Sequence, residues 1–171
     1  ICYFFLSAIM SMLLITSCSN DDLQTVVSGD NVQVSFALGL DKQMGSRAAD
    51  GVINADKLVY ALFDADGKLI TGMNNSDNGL FTKNGAFASS TSENISMTLV
   101  KGQTYSIVFW AQDSDCGAYT ITAENDGVKV DVDYQGANND ETRDAFFASE
   151  TFTVEGNAEV EVVLKRPFAQ I

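Results

Sequence analysis

The stretch TYSIVFWA, residues 104–111, is the densest run of β-favouring residues in the chain. Branched and aromatic side chains of this kind pack well on a pleated surface. The apolar residues are nearly continuous instead of alternating, which is typical of a strand that is covered on both faces. The sequence therefore predicts a central strand here, within a sheet that has packing partners on either side.

Short alternating segments, separated by turn signals, surround this stretch. Apolar side chains occupy every second position in residues 32–40 and again in residues 95–99. The sequences DADG at 64–67 and ENDG at 124–127 indicate hairpin turns, because glycine tolerates positive φ and the acidic side chains bond local backbone. These features predict an all-β protein, an antiparallel β-sandwich of about seven strands over residues 32–166.

Other segments carry weaker signals. Only Asp140–Ala148 has a pattern compatible with a helix, and a short one. The two phenylalanines within it, at 146 and 147, are predicted to lie in the core. Three further pieces are predicted to be short strands, namely residues 68–70 as a hairpin partner of the preceding strand, and residues 79–81 and 86–88.

The beginning of the chain has the features of a secretory signal. Residues 3–15 are apolar except for two serines, a length that suits a signal peptide and is short for a membrane span. Neither an initiating methionine nor a basic residue precedes this run. Residues 1–17 are therefore interpreted as a signal peptide that is truncated at its start, and residues 167–171 as the start of a segment or domain that is not included.

Cys18 is the expected site of lipidation. It follows Thr16 and Ser17, and this arrangement resembles a lipobox, in which the cysteine receives lipid and becomes the first residue of the mature protein. The alternative is an ordinary signal peptide with an incidental cysteine. Residues 18–31 then form the lipidated cysteine and a flexible tether. The polar run Ser19–Asp22 resembles the surface-export signal of Bacteroidetes-type lipoproteins, which implies a lipid anchor in the outer membrane and exposure at the cell surface.

Composition excludes several classes of function. The net charge of −13 repels nucleic acid, so no nucleic-acid partner is expected. With Cys2 in the signal and Cys18 lipidated, Cys116 has no partner for an intramolecular disulfide or a cysteine metal site. The chain has no histidine, and so lacks the usual general base and the commonest transition-metal ligand. We predict no catalytic residue, no metal ligand, no cofactor and no enzymatic activity.

Paired carboxylates were the remaining candidates for chemistry. One pair shares a strand face, as in a glycosidase, but nothing predicts a cleft that would shift its pKa. A second pair resembles a calcium loop, yet it lacks a third oxygen ligand and the later glutamate. A third pair follows the central strand and could bind a cation weakly. The first pair is Asp131 with Asp133, and its favoured interpretation is a solvated strand edge. The second pair is Asp64 with Asp66, for which a hairpin turn is favoured. The third pair is Asp113 with Asp115, for which a solvated loop is favoured.

Aromatic residues near the central strand allow two interpretations. Trp110, together with Tyr105, Phe109 and Tyr119, could form a platform on which a sugar stacks. Their spacing within an apolar strand favours core packing instead.

The loop after the first strand is the segment most open to a functional role. Arg47 and Ala48 lie in a stretch of small residues, which could enter a protease cleft in extended form. Cleavage there would release the first strand, and the loss of its buried apolar side chains would remove about 8–15 kcal/mol of stabilisation. A neighbouring molecule could then supply a replacement strand. An uncut surface loop is the alternative, and the residues alone favour it. The apolar side chains of that exchangeable strand are Val32, Val34, Phe36, Leu38 and Leu40.

Several segments, in this order, resemble the amino-terminal domain of the fimbrillin-like lipoproteins of Bacteroidetes-type bacteria. The resemblance covers essentially the whole chain. It rests on Cys18, the first strand with Arg47-Ala48, ADKLVYALFDADG at 55–67, LVKGQTY at 99–105 with FWA at 109–111, RDAFF at 143–147, and LKRPFAQ at 164–170.

This resemblance implies a transthyretin-like β-sandwich that is followed by a second sandwich domain. It also implies export as a lipoprotein, arginine-specific cleavage at Arg47-Ala48 and polymerisation by donor-strand exchange. The expected function is a structural or accessory subunit of a surface fimbria, with other fimbrial subunits as partners. The alternative is a monomeric surface lipoprotein that binds glycans or host proteins.

Overall fold

Nine β-strands make up almost all the regular structure of the residues described by the computed structural model, which are 29–41, 55–73, 78–135 and 141–167. A single 3-10 turn, Glu141–Arg143, is the remaining element in these ranges. The strands are β1 Asn31–Leu40, β2 Lys57–Phe63, β3 Phe81–Asn84, β4 Ser92–Val100, β5 Thr104–Gln112, β6 Tyr119–Glu124, β7 Gly127–Val132, β8 Ala145–Thr153 and β9 Ala158–Leu164.

Two sheets form a sandwich, and a separate hairpin lies outside it. One sheet has the order β4-β1-β9, the other has the order β3-β2-β5-β8, and β6 pairs with β7 alone. The two large sheets contain seven strands and the hairpin adds two, against about seven predicted in all. The prediction of an all-β sandwich is confirmed. All neighbours are antiparallel except β1 and β9, the first and last strands, which run parallel.

The predicted central strand is β5. It pairs with β2 on one side and with β8 on the other. Ile107 and Phe109 are fully buried on the face toward the opposite sheet, whereas Trp110, 3% exposed, is buried on the outer face against Tyr119 of β6. The near-continuous apolar pattern therefore reports a strand with packing partners on both faces, as the sequence predicts.

The β6–β7 hairpin covers part of the outer face of the four-stranded sheet. A small apolar cluster lies between them, and its members are Val59, Ala61, Phe63, Leu80 and Ala123. Two hydrogen bonds also hold the hairpin turn: the Leu69 N–H donates to the side-chain oxygen Asn125 Oδ1, and the Asp126 N–H donates to the Gly67 carbonyl. This hairpin is the packing partner that covers the apolar outer face of β5.

One side of the sandwich is closed by β8 and β9. Phe147 and Lys165 exchange two backbone hydrogen bonds of 2.8 and 2.9 Å across the two sheets. Asp144 accepts two hydrogen bonds of 2.6 Å from the Arg166 guanidinium beside this bridge, and that guanidinium stacks over the Phe146 ring. The opposite side, between β3 and β4, has no such backbone bridge among the described residues.

The predicted short helix over Asp140–Ala148 is wrong. Its beginning forms only the 3-10 turn, and from Ala145 the chain is the edge strand β8, paired residue by residue with β5. Phenylalanine favours a pleated surface, and the long pairing with β5 overrides the weak local helix signal. Phe146 is fully buried as predicted, but its neighbour Phe147 is 41% exposed because successive strand residues face opposite sides.

The three predicted short strands are only partly correct. Leu69 forms an isolated bridge to Phe63 and is not part of a strand. The strand predicted at residues 79–81 lies later in the chain, as the edge strand β3, which begins at Phe81. Residues 86 and 87 are buried in a turn, where Phe87 has a φ of +56°. Within the described ranges, no helix is long and apolar enough to cross a membrane.

Gly79 provides a test of this part of the fold. Its φ is +76°, and an added Cβ would lie 2.6 Å from Leu69 Cδ2. Gly79→Ala is therefore expected to lower the free energy of unfolding by about 1–3 kcal/mol, measured by urea denaturation. Gly39→Ala is the matched control, because nothing lies within 4 Å of its added Cβ. The control should stay within about 0.5 kcal/mol of the parent protein, and equal effects for both would contradict the local geometry.

Candidate functional site

β1 is the interior strand of its sheet. Nine of its residues pair with β4 and seven with β9. Its backbone alternates between the two neighbours: the Leu40 N–H donates to Thr91 O on the β4 side, and the Asp41 N–H donates to Leu164 O on the β9 side. The strand that sequence analysis predicts to be exchangeable is thus the one element that joins β4 to β9.

The side chains predicted to face inward do so. Four of them are 6% exposed or less, and Val32 at the beginning of the strand is partly buried against the same core. Phe36 is central: its ring contacts Phe109 edge-on, with centroids 5.6 Å apart, and Phe152 at 5.3 Å. The four are Val34, Phe36, Leu38 and Leu40. Removal of β1 would therefore open the core along the full length of the sheet.

The predicted lipidation and cleavage positions lie outside the described residues. Cys18 precedes Gly29, where the description begins, and Arg47-Ala48 falls between Asp41 and Ala55. Both remain predictions. In the described residues on either side, β1 ends at Leu40 and Ala55 is buried in the core, 1% exposed.

The acidic pairs have local structural partners. Asp64 Oδ1 accepts hydrogen bonds from the Asp66 and Lys68 N–H groups, as in a hairpin turn. Asp131 pairs with Lys129 on an exposed strand face. Asp113 Oδ1 caps the N–H of Asp115 in a turn. Within the described residues, no group of three or more histidine, cysteine, aspartate or glutamate side chains is placed to bind a metal.

The aromatic residues of the central strand are buried, and Tyr119 of β6 packs against them. Trp110 Nε1 donates to Gln112 Oε1 at 2.9 Å, and the ring contacts Tyr119 edge-on. The Tyr119 hydroxyl in turn donates to the Arg143 carbonyl at 2.6 Å. Tyr105 and Phe109 are 7% and 0% exposed. The core-packing interpretation is confirmed for Trp110, Tyr105 and Phe109, and Tyr119 is half-buried beside them.

Sequence analysis missed a groove on the open side of the sandwich. It has a volume of about 670 Å³ and lies between the free edges of β3 and β4. Tyr60 and Phe81 stack in its floor with centroids 4.8 Å apart, and burial raises the pKa of the Tyr60 phenol. The alternation of β4 indicates one buried face but not an edge position, and only the tertiary packing brings β3 opposite β4. The lining residues are Tyr60, Met73, Leu80, Phe81, Thr82, Ser96, Met97 and Thr98.

A salt bridge closes one end of this groove. Lys83 Nζ of β3 lies 2.6 Å from Glu93 Oε1 of β4 and also donates to the Asn94 carbonyl. Burial raises the pKa of Glu93, but hydrogen bonds from Lys83 and from the Asn94 N–H, with the lysine charge, outweigh it and hold the pKa below its usual 4.5. The pair thus links the two sheet edges at this end.

The pH dependence of this link can be measured. A depressed carboxyl pKa contributes stability above the unfolded-state pKa near 4.5, and that stability is lost as the pH falls through the folded-state pKa. In Lys83→Met, we expect the pKa of Glu93, followed by NMR titration, to rise toward or above 4.5. Lys129→Met is a matched control, because Lys129 pairs with Asp131 on a distant hairpin. An unchanged Glu93 pKa in Lys83→Met would contradict the role of the ion pair.

These features define the class as an all-β sandwich whose first strand is an interior element. The sequence matches a family of unknown function, DUF6562, over residues 24–171. The chain therefore belongs to that family. No curated protein matches the sequence.

Two solved structures are similar to this chain at low identity. One is a Bacteroides thetaiotaomicron protein (DUF1812), provisionally described as polysaccharide binding, with 15% identity and a TM-score of 0.49 over 78% of this chain and 46% of its own. The other is a fimbrial assembly protein from Parabacteroides distasonis, with 14% identity and a TM-score of 0.39 over 78% of this chain and 51% of its own. The chain spans about half the length of each.

Proposed function

We propose that this chain is a structural or accessory subunit of a surface fimbria that polymerises by donor-strand exchange after cleavage at Arg47. The observation that supports the proposal is the position of β1, which is interior to its sheet, buries four apolar side chains and ends at Leu40, ahead of Arg47-Ala48 in the sequence. Release of this interior strand would leave the edges of β4 and β9 without their shared partner and would open an apolar slot between them, which a strand of another subunit can fill.

The proposal includes export as a lipoprotein with lipid on Cys18. In that arrangement the acyl chains hold the protein at the outer membrane, and residues 19–31 connect the lipid to β1. Cleavage at Arg47 would separate the lipid and β1 from the rest of the chain, so the same event would release the subunit and open its slot. One molecule would therefore be either anchored to the outer membrane through its lipid or opened for assembly into the polymer, but not both.

Cleavage and assembly are tested together. Surface-displayed protein treated with an arginine-specific protease is expected to lose the segment before residue 48 and to form a ladder of SDS-resistant oligomers. Arg47→Lys keeps the charge but removes the protease site, and should yield neither. A size shift without multimers, or multimers from the uncut Arg47→Lys protein, would contradict donor-strand exchange after cleavage.

Lipidation is tested separately. Radiolabelled palmitate should enter the parent protein and be absent from Cys18→Ala, which should also be released from the cell envelope. Cys116→Ala is the matched control, since Cys116 is a buried cysteine within the folded domain and should not affect labelling. Label that persists in Cys18→Ala would contradict the lipid anchor.

The glycan-binding alternative loses the residues on which it depended. The aromatic side chains proposed to stack on a sugar are buried in or near β5, with Trp110 only 3% exposed. Trp110→Ala would therefore open the core, and a loss of glycan binding in that variant would not identify a binding site.

A further inference from the structure

Among the described residues, the edge of β4 that faces away from β1 contains a short stretch of backbone without a hydrogen-bond partner. In an antiparallel strand, the N–H and C=O of one residue point to the same side, and alternate residues point to opposite sides. The Lys101 N–H donates to Asp30 O, and the Leu40 N–H donates to Thr91 O. In this register, the backbone N–H and C=O groups of the odd-numbered residues of β4 point toward β1. Ser96 and Thr98 consequently direct their N–H and C=O groups away from β1, into the groove.

Side chains protect this edge on both sides of Ser96 and Thr98. On one side, Lys83 Nζ donates to the Asn94 carbonyl at 3.3 Å. On the other, the Tyr105 hydroxyl accepts from the Val100 N–H at 3.3 Å. Proteins cover strand edges in such ways to prevent unwanted pairing. Within the part of the chain that the structure describes, the portion of the β4 edge that no such group covers is therefore the portion that lines the groove.

The opposite wall has the same character. The Ile70 N–H donates to Leu62 O, and the Asp64 N–H donates to Lys68 O. The backbone N–H and C=O groups of the even-numbered residues of β2 therefore point toward the side of the sheet on which β3 lies. In the β2–β3 register, this makes Phe81 and Lys83 the residues that bond β2, and it turns the backbone of Thr82 outward. Thr82 also lines the groove. Both walls thus offer backbone donors and acceptors, while Phe81 and Met97 supply apolar floor.

We propose that this groove binds an extended segment of a partner protein by β-strand addition between β3 and β4. The segment would pair with the free edge of β4 over about four to five residues, at 3.3–3.4 Å per residue. Its alternate apolar side chains would lie on Phe81 and Met97, and it would be neutral or basic because the chain carries a net charge of −13. Proline is excluded where the segment bonds β4.

A free segment fits this groove better than a second copy of the domain. In an edge-to-edge pair of β4 strands, the inward side chains of the second β4 would already be buried in their own core. The groove floor would then stay open. The outward backbone groups of Ser96 and Thr98 have the spacing of alternate hydrogen-bonded residues in a β-ladder. An extended peptide matches this spacing, and a sugar does not. The proposal does not depend on cleavage at Arg47, because β1 stays in place.

The test uses the uncut chain and the blocked peptide KTVTVTK, with KVVTTTK of equal composition as the control. Titration should give saturable binding of the alternating peptide only. At saturation, NMR hydrogen exchange should slow at the Ser96 and Thr98 amides, and the Val100 amide, already bonded to Tyr105, should change little. Equal binding of the two peptides, no binding, or unchanged exchange at both amides would overturn the proposal.

Thr98→Pro sharpens the test. It removes an outward N–H and leaves the bonds to β1 intact, so it should weaken peptide binding about tenfold or more. Thr98→Ala keeps the N–H and should bind like the parent protein. A folded Thr98→Pro protein with unchanged affinity would overturn the proposal, and if this variant does not fold, the exchange result on the parent protein decides. Concentration-dependent protection of Ser96 and Thr98 without peptide would assign the edge to a second copy and also overturn it.

Discussion

Phe36→Ala is expected to lower the free energy of unfolding by about 3–5 kcal/mol. Phe36 is fully buried at the middle of β1, and its ring contacts the rings of Phe109 and Phe152 in edge-to-face geometry. Truncation removes the apolar contact area and leaves a cavity between the two sheets, which cannot close because β1 is held by strands on both sides. Urea denaturation followed by tryptophan fluorescence measures the loss.

Ser35→Ala is the matched control on the same strand. Ser35 faces solvent and hydrogen-bonds the Ser96 hydroxyl at 2.8 Å. Its loss should change the free energy of unfolding by no more than about 1 kcal/mol. A Phe36→Ala protein as stable as Ser35→Ala would show that β1 is not part of the stable core, and the proposed exchange of this strand would lose its energetic basis.

The sequence predicted the parts of the fold that depend on local patterns. Alternation over residues 32–40 identified the inward side chains of β1, and the apolar run around Phe109 identified a strand covered on both faces. It could not predict which element covers the outer face, because the β6–β7 hairpin reaches that face only through tertiary packing. The false helix signal before Phe147 failed for the same reason, since pairing with β5 decides the structure there.

Features set by distant pairing could not be predicted. The parallel pairing of β1 with β9 joins residues more than a hundred positions apart, as in Phe36 with Val160. Nothing in either segment encodes this choice, because alternation fixes which face a side chain takes but not which neighbour a strand takes. The groove requires the positions of two strand edges, β3 and β4, and β3 is only four residues long, too short for a clear alternating pattern.

The parallel and antiparallel neighbours of β1 define what a replacement strand must match. It must run antiparallel to β4 and parallel to β9, and it must place apolar side chains at the positions of Val34, Phe36, Leu38 and Leu40. A shift by one residue would direct all of these side chains to solvent. The slot is therefore selective for direction and register, and a peptide can test this selectivity without a second subunit.

A chain that begins at residue 48 is expected not to fold cooperatively. It lacks β1, and about 8–15 kcal/mol of apolar burial is lost, as much as the whole stability of a typical domain, about 5–15 kcal/mol. The edges of β4 and β9 also lose their shared partner. Addition of a synthetic peptide of residues 29–41 should restore a cooperative thermal transition, measured by near-ultraviolet circular dichroism.

The matched control peptide exchanges the residues at positions 36 and 37. It has the same composition, but it places alanine in the core and phenylalanine on the outer face, where Ala37 lies between β4 and β9. Because the empty volume at Phe36 then remains unfilled, this peptide should restore little or no transition. Equal rescue by both peptides would mean that the slot does not select register, and cooperative folding without any peptide would mean that β1 is dispensable; either result would remove the physical basis for strand exchange.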